Sequence, residues 1–82
     1  IDCSHANSKK KHTFQVDVIR NVTAQIKNGN HHILGMMIES NLFEGNQPLK
    51  DKKDLKYGVS VTDECIGWEI TERLIENLYH VI

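Results

Sequence analysis

Residues 32–38 form an almost continuously apolar run that is interrupted only by Gly35. Polar positions do not alternate within this run, and such a pattern is typical of a parallel β-strand that is covered on both faces. The run ends at Glu39. Because α/β folds place their ligands at the C-terminal ends of such strands, Glu39 is the first candidate functional residue.

Two other segments have the spacing of amphipathic helices, with apolar residues recurring at helical intervals over 14–26 and again over 70–82. The first stripe consists of Phe14, Val16, Val18, Ile19, Val22 and Ile26. The second stripe consists of Ile70, Leu74, Ile75, Leu78 and Ile82.

Residues with capping preferences set the expected helix ends. Thr13 is the predicted N-cap of the first helix, and the sequence Asn-Gly-Asn at 28–30 predicts its C-terminal end. Ser60 or Thr62 is the predicted cap of the second helical region, with a break or bend at Gly67.

Two further segments complete the predicted order of secondary-structure elements. Residues 1–4, followed by the loop that begins at His5, are typical of the end of another strand, whereas 41–61 contains glycine, proline and a charged cluster. Such a loop of about 20 residues is uncommon in a compact domain unless it is functional or disordered. The predicted order of strand, helix, strand, long loop and helix places the chain in the α/β class.

The basic run at 9–11 lies at the start of the first helix, where positive charge opposes the helix macrodipole. This arrangement indicates either a nearby anion or a solvated charge run.

With 82 residues the chain can form one small domain at most. It begins without Met and inside the first predicted strand, so we expect a single partial domain over 1–82. The unpaired edges of an apolar strand are templates for another copy, and we therefore expect a homo-oligomer.

The net charge of −1 argues against a nucleic-acid partner, because proteins that bind nucleic acid normally carry a basic excess. Cys3 and Cys65 are far apart in the sequence, and neither a signal peptide nor a membrane-spanning run is present. We therefore expect a reduced, cytoplasmic protein without a membrane partner.

His5, Glu39 and Asp63 are the candidate site. His5 follows the first strand and Glu39 ends the second, so a parallel sheet would place both side chains on one C-terminal rim. The long loop could return Asp63 to the same point. One imidazole and two carboxylates suit manganese, iron, cobalt or zinc better than calcium or magnesium.

The spacing also allows ordinary structural roles. A histidine after a strand is more often a hydrogen-bonding loop residue than a ligand, and Asp63 beside Thr62 could be a helix-capping acid. For Trp68, Met36 and Met37 we expect positions in the core. Cys65 is expected to be a buried small apolar residue. The remaining histidines, which lack paired acids at useful spacing, are expected at the surface or at helix ends; they are His12, His31, His32 and His80.

Three motifs resemble the C-terminal part of the class I 3-deoxy-D-arabino-heptulosonate 7-phosphate (DAHP) synthases. They are residues 2–8 (DCSHANS), 37–42 (MIESNL) with 44–47 (EGNQ), and 57–63 (YGVSVTD) with 65–69 (CIGWE). The motifs keep the family's order and spacing, and the resemblance extends over essentially the whole chain.

The resemblance implies a (β/α)₈ TIM barrel, of which this chain supplies the end of strand 7, helix 7, strand 8 and helix 8. It also implies the metal-dependent condensation of phosphoenolpyruvate with D-erythrose 4-phosphate, the first step of the shikimate pathway to aromatic amino acids. His5, Glu39 and Asp63 match three of the family's four metal ligands. The fourth is a cysteine, and neither cysteine of this chain is in its place.

The lysines and arginines with which the family holds the substrate phosphates have no match in this chain, so we expect the isolated 82 residues to be inactive. The rival hypothesis is a stand-alone, non-catalytic α/β module that binds metal or associates with itself.

Overall fold

The computed structural model describes residues 1–82 and contains two α-helices, α1 at His12–Lys27 and α2 at Trp68–Val81. Single-turn 3₁₀ helices lie at His5–Ser8 and Lys52–Asp54. The two α-helices contact each other, and isolated β-bridges connect the remaining segments. Neither helix has the length and apolar character that crossing a membrane requires.

The core is a small cluster of apolar side chains contributed by both helices and by the segments between them. Its buried members are Cys3, Ile19, Val22, Ile66 and Leu74. The cluster joins the start of the chain to α1, α2 and the segment that precedes α2. The candidate site residues lie in the loops that leave these buried segments.

Parallel pairing brings the first segment of the chain beside the segment that ends at Glu39. Cys3 N donates to Met37 O at 3.0 Å, and Met37 N donates to Ile1 O at 2.8 Å. On the other side, Ile66 N donates to Glu39 O at 3.1 Å. The predicted parallel neighbours are therefore present, although each pairing is only one bridge long.

The prediction of a strand over 32–38 that is covered on both faces is wrong. Within that range only Met37 forms a bridge, and its side chain is exposed, while Leu34 is 99% exposed. Ile33, Met36 and Ile38 pack against the core. The physical reason is that residues 1–82 provide a helical layer on one face of the segment and none on the other.

The buried stripe of α1 differs from the predicted one at its first turn. Phe14 is exposed, whereas the neighbouring Gln15 is completely buried, together with Ile19 and Val22. The prediction failed because it counted only apolar residues, and Gln15 satisfies its amide by hydrogen bonds in the interior. The predicted C-terminal end is confirmed, since α1 stops at Lys27 and a glycine with φ of +97° follows.

The predicted N-caps are wrong for both helices. α1 begins at His12, before Thr13, and its N-cap residue provides no side-chain hydrogen bond. α2 begins at Trp68 directly after Gly67, so Ser60 and Thr62 lie well outside it. Ser60 and Thr62 instead hydrogen-bond each other within the loop that precedes α2, so neither caps a helix.

α2 buries one narrow stripe. Leu74 and Thr71 are buried, but Ile75 and Ile82, which were expected in the stripe, are exposed. Trp68 is 53% exposed and does not fill the core beneath the loop as predicted. The helix therefore buries less than its sequence pattern predicted.

The long segment at 41–61 is irregular but held by hydrogen bonds. Gln47 Nε2 donates to the carbonyl oxygens of Lys56 and Val59 at 2.9 and 3.0 Å, and Gln47 Oε1 accepts from Lys56 N at 2.9 Å. At Gly58, with φ of +74°, an added Cβ would lie 2.8 Å from Leu42 Cβ. Glycine therefore permits the close return of this loop.

Candidate metal centre

His5, Glu39 and Asp63 converge on one point. His5 Nε2 lies 3.4 Å from Glu39 Oε1 and 3.2 Å from Asp63 Oδ2. One potential ligand atom from each residue lies within 4.8 Å of the other two. The structure thus brings together all three residues that were selected from the sequence, and each one comes from a different loop.

The backbone and side chain of His5 are both fixed in position. His5 has φ of +51° at the start of the 3₁₀ turn, and its Nδ1 lies 2.9 Å from Asp2 Oδ2. Because Asp2 accepts a hydrogen bond from Nδ1–H, the Nε2 atom faces Glu39 and Asp63. This is the tautomer that a metal ligand needs.

Asp2 and His5 also shift each other's proton affinity. The hydrogen bond to Asp2 raises the pKa of His5 above its usual value, and the charges of Asp2, Glu39 and Asp63 act in the same direction. The pKa of Asp2 is lowered by the hydrogen bond from His5 and by that from the backbone N–H of Ser4. The pair is therefore charged over a wider pH range than either group alone.

Glu39 is the least exposed member of the set. Its side chain is 22% exposed, compared with 45% for His5, and the hydroxyl of Ser4 donates to Oε1. Its backbone N–H and carbonyl are both hydrogen-bonded to the side chain of Gln15. The position of this carboxylate therefore depends on neighbours from the first segment and from α1.

The loop that carries Asp63 is tied to α1 through the next residue, Glu64. Glu64 Oε1 accepts from His12 N at 3.1 Å and lies 2.5 Å from His12 Nδ1. Lys11 Nζ is 3.7 Å from Glu64 Oε2. Of the two alternatives for the basic run, a nearby anion holds for Lys11, which lies beside the carboxylate of Glu64, whereas Lys9 and Lys10 are exposed and form no salt bridge.

The predicted place of His12 at a helix end is confirmed, and the fold also gives it two acidic partners, Glu44 and Glu64. Its partners are distant in sequence, so spacing could not reveal them. Asp2, Ser4 and Gln15 were also missed as contributors to the site. The only signal for Gln15 was a polar residue beside an apolar stripe.

The two cysteines do not contribute to this centre. Cys3 and Cys65 are buried, and burial raises the pKa of both thiols. A protonated thiol in the core is a small apolar residue and not a ligand. This confirms the expectation for Cys65.

The donor set fits a divalent metal. One imidazole nitrogen and two carboxylate oxygens are the mixed ligands that manganese, iron, cobalt and zinc accept. Two acidic side chains held close to one point also gain from a cation between them. The three residues present are compatible with such an ion, which would leave other coordination positions open.

Comparison with known proteins gives consistent matches along the chain. The model of the DAHP synthetase I family matches residues 1–76. The chain is 51% identical over 80 residues to the Tyr-sensitive phospho-2-dehydro-3-deoxyheptonate aldolase of Escherichia coli (strain K12), covering 96% of this chain and 22% of that protein. It is 45% identical over 86 residues to the tyrosine-inhibited phospho-2-dehydro-3-deoxyheptonate aldolase of Candida albicans (strain SC5314 / ATCC MYA-2876), covering 100% of this chain and 23% of that protein.

The fold agrees with the sequence matches. The structure of phospho-2-dehydro-3-deoxyheptonate aldolase from Francisella tularensis SCHU S4 superimposes with a TM-score of 0.90 at 49% sequence identity, covering 100% of this chain and 24% of that chain. The chain thus spans about a quarter of the length of each of these three proteins. From the family match, these identities and the shared fold, we conclude that the chain belongs to the DAHP synthetase I family.

Proposed function

We propose that the chain is part of a metal-dependent DAHP synthase that condenses phosphoenolpyruvate with D-erythrose 4-phosphate, the first step of the shikimate pathway. The observation that carries this proposal is the convergence of His5, Glu39 and Asp63, each within a motif that resembles the family. We further propose that residues 1–82 form a partial domain at the C-terminal end of a (β/α)₈ barrel, from the end of strand 7 to helix 8.

In this proposal His5, Glu39 and Asp63 hold the divalent ion. When bound, the ion supplies Lewis-acid chemistry, which polarises a carbonyl oxygen or lowers the pKa of a water molecule. Asp2 keeps Nε2 of His5 directed into the site, and Ser4 keeps the carboxylate of Glu39 in place. The residues of this chain therefore provide the ligands and their orientation.

The substrate phosphates need partners from elsewhere. His5 pairs with the carboxylates of Asp2, Glu39 and Asp63, and no lysine or arginine takes part. An acidic cluster of this kind repels phosphate groups unless cations are placed nearby. We propose that other parts of the complete enzyme supply them, and that the chain works in the cytoplasm as part of a homo-oligomer.

Alanine substitutions test the metal site in the complete enzyme. In His5→Ala and Glu39→Ala we expect loss of bound Mn²⁺ and of DAHP formation while the fold remains, because both side chains lie in the loops and outside the packed core. Metal content, circular dichroism and turnover should be measured on the same samples. Glu76→Ala, at an exposed position of α2, is the control.

Normal metal content and turnover in either variant would show that the ligand assignment is wrong. If Glu39→Ala does not fold, His5→Ala decides the assignment, because His5 is more exposed and its replacement disturbs the packing less.

A second candidate is a stand-alone, non-catalytic α/β module that binds metal or associates with itself. The exposed apolar side chains of Leu34 and Met37 are the observation in its favour, since they offer a surface for another copy. The mass of the native polypeptide separates the two proposals. A mass several times that of these 82 residues supports the enzyme, whereas a mass equal to theirs supports the module.

A further inference from the structure

The side chain of Gln15 is completely buried in the first turn of α1 and bridges the backbone N–H and C=O of the candidate metal ligand Glu39. Its Nε2 donates to Glu39 O at 3.1 Å, and its Oε1 accepts from Glu39 N at 2.7 Å. A primary amide offers one acceptor and two donors, and here it meets both backbone polar groups of a single residue. Gln15 is distant from Glu39 in sequence, so this contact is formed only by the fold.

The two hydrogen bonds constrain more than a single bond would. One bond would fix a distance and leave the residue free to rotate, whereas two bonds to N–H and C=O also fix the orientation of the backbone at Glu39. On the other side, Ile66 N donates to the same carbonyl oxygen at 3.1 Å. The backbone from which the Glu39 carboxylate projects is therefore held both by α1 and by the segment before α2.

Because Gln15 is buried, its two hydrogen bonds to Glu39 are sensitive to substitution. Because Gln15 has no exposed surface, an apolar side chain of similar volume in its place would remove the amide and leave no room for water to replace it. The N–H of Glu39 would then lack its protein partner in a partly buried place, and the local backbone would move to find another.

We propose that Gln15 is a positioning residue of the metal centre, and that its amide sets the direction of the Glu39 carboxylate towards His5 and Asp63. This inference depends on the proposed role of Glu39 as a metal ligand. Residues behind the ligands typically change metal affinity roughly 10–100-fold when they are replaced. Gln15 differs from most such residues because it holds the ligand's backbone and not its side chain.

A purely structural role for Gln15 is the competing explanation, and Thr23 provides the matched control. Thr23 is also buried on α1, and its hydroxyl donates to Ile19 O at 2.8 Å within the helix, away from the site. Gln15→Met and Thr23→Val each remove a buried polar group from the same helix and keep a similar volume. Only the first removes a contact with a proposed ligand.

The experiment measures Mn²⁺ affinity and urea unfolding in the complete protein for both variants, with the affinity taken under conditions where each protein is folded. We expect Gln15→Met to bind Mn²⁺ roughly 10–100-fold more weakly, and Thr23→Val to bind it as the wild type does, even if both lose stability. Gln15→Asn, whose shorter amide cannot span both groups, replaces Gln15→Met if the latter does not fold.

Wild-type affinity in Gln15→Met, or an equal loss in Thr23→Val, would overturn the inference. Glu39→Ala separates this failure from that of the proposed function. If Glu39→Ala abolishes Mn²⁺ binding and the Gln15 variants do not weaken it, only the role of Gln15 is wrong. If Glu39→Ala binds Mn²⁺ normally, the ligand assignment itself is wrong.

Discussion

At the scale of single residues, the carboxylate of Asp2 determines which nitrogen of His5 faces the site. The Nδ1–Oδ2 distance of 2.9 Å and the hydrogen bond from Ser4 N to Asp2 at 2.8 Å fix both partners. The same hydrogen bond raises the pKa of His5, so a proton competes with a metal ion for the ring to a higher pH than usual. Asp2 therefore has two opposite effects on metal affinity: it strengthens binding by orienting the ring of His5, and it weakens binding at lower pH by favouring the protonated ring.

The variant Asp2→Asn separates the two effects. The neutral amide introduced by this substitution stabilises the protonated ring of His5 less than the carboxylate does, so we expect the pKa of His5 to fall. Mn²⁺ affinity should then rise with pH at a lower pH than in the wild type. Above that transition, we expect affinity roughly 10-fold weaker, since the ring is less well oriented. Mn²⁺ titrations from about pH 5 to 8 measure both quantities.

Glu76→Gln on the exposed side of α2 is the control for the loss of one carboxylate. An unchanged transition in Asp2→Asn would contradict the proposed coupling between Asp2 and His5.

At the scale of elements, α1 is capped by a residue from another part of the chain. Its N-cap Lys11 makes no side-chain hydrogen bond to the helix, and Glu64 accepts from His12 N at 3.1 Å instead. A carboxylate at this end complements the macrodipole and offsets the adjacent lysines. The same contact anchors the residue next to Asp63, so the helix end and the site share one support.

We expect Glu64→Gln to lower the free energy of unfolding at neutral pH by about 1 kcal/mol at most, because the amide still offers an acceptor to His12 N but loses the charge that complements the helix macrodipole. The hydrogen bonds from His12, first the backbone N–H and then the ring, lower the pKa of Glu64 below its ordinary 4.5. Because the pKa of Glu64 is lower in the folded than in the unfolded state, its charge stabilises the folded protein at any pH above the unfolded-state pKa. The contribution is lost as the pH falls through the folded-state pKa.

Urea unfolding at neutral pH and at successively lower pH checks this expectation, with the exposed Glu72→Gln on α2 as the matched control. The difference between wild type and Glu64→Gln should shrink as the pH drops below 4.5. A difference that grows on acidification would contradict the assigned cause.

At the scale of the whole molecule, the chain leaves one face of its central segment bare. Ile33, Met36 and Ile38 lie against the core, whereas Leu34 and Met37 are exposed. The molecule measures 48 × 23 × 17 Å, and no second layer covers Leu34 or Met37. Exposed apolar side chains next to unpaired backbone groups favour association.

We expect the isolated 82-residue chain to associate at micromolar concentration, as dimers or as less defined oligomers. Leu34→Lys should weaken association because it places a charge on the bare face, and Tyr79→Lys, at an exposed apolar position of α2, should not. Sedimentation equilibrium measures this. A monomer that unfolds cooperatively would show that one copy can hide the surface.

The isolated chain should also fail to form DAHP when it is supplied with both substrates and Mn²⁺. Without cations to hold the two phosphate groups, the reacting atoms are not brought together, whatever the state of the metal site. An assay of the purified chain for DAHP is sufficient, with the complete enzyme as the positive control. Metal-dependent product from the chain alone would refute this expectation.

The features that depend on the order of neighbouring residues were predictable without a structure. The periodicity of apolar residues predicted both helices, and Gly29 marked the end of the first, because neighbouring residues alone fix these preferences. The placement of His5 and Glu39 directly after two paired segments predicted that their side chains would meet. Parallel pairing has few alternatives, so this inference was possible without a structure.

Burial and the contacts between distant residues depend instead on how the whole chain folds. Gln15 replaced Phe14 in the buried stripe because it found hydrogen bonds at Glu39, and Glu64 capped a helix that its own N-cap residue left open. The periodicity of apolar residues does not predict such contacts, because they depend on which loops lie close together in the folded chain. The exposure of Leu34 likewise followed from the absence of a second covering layer, a property of the assembled fold and not of the residue.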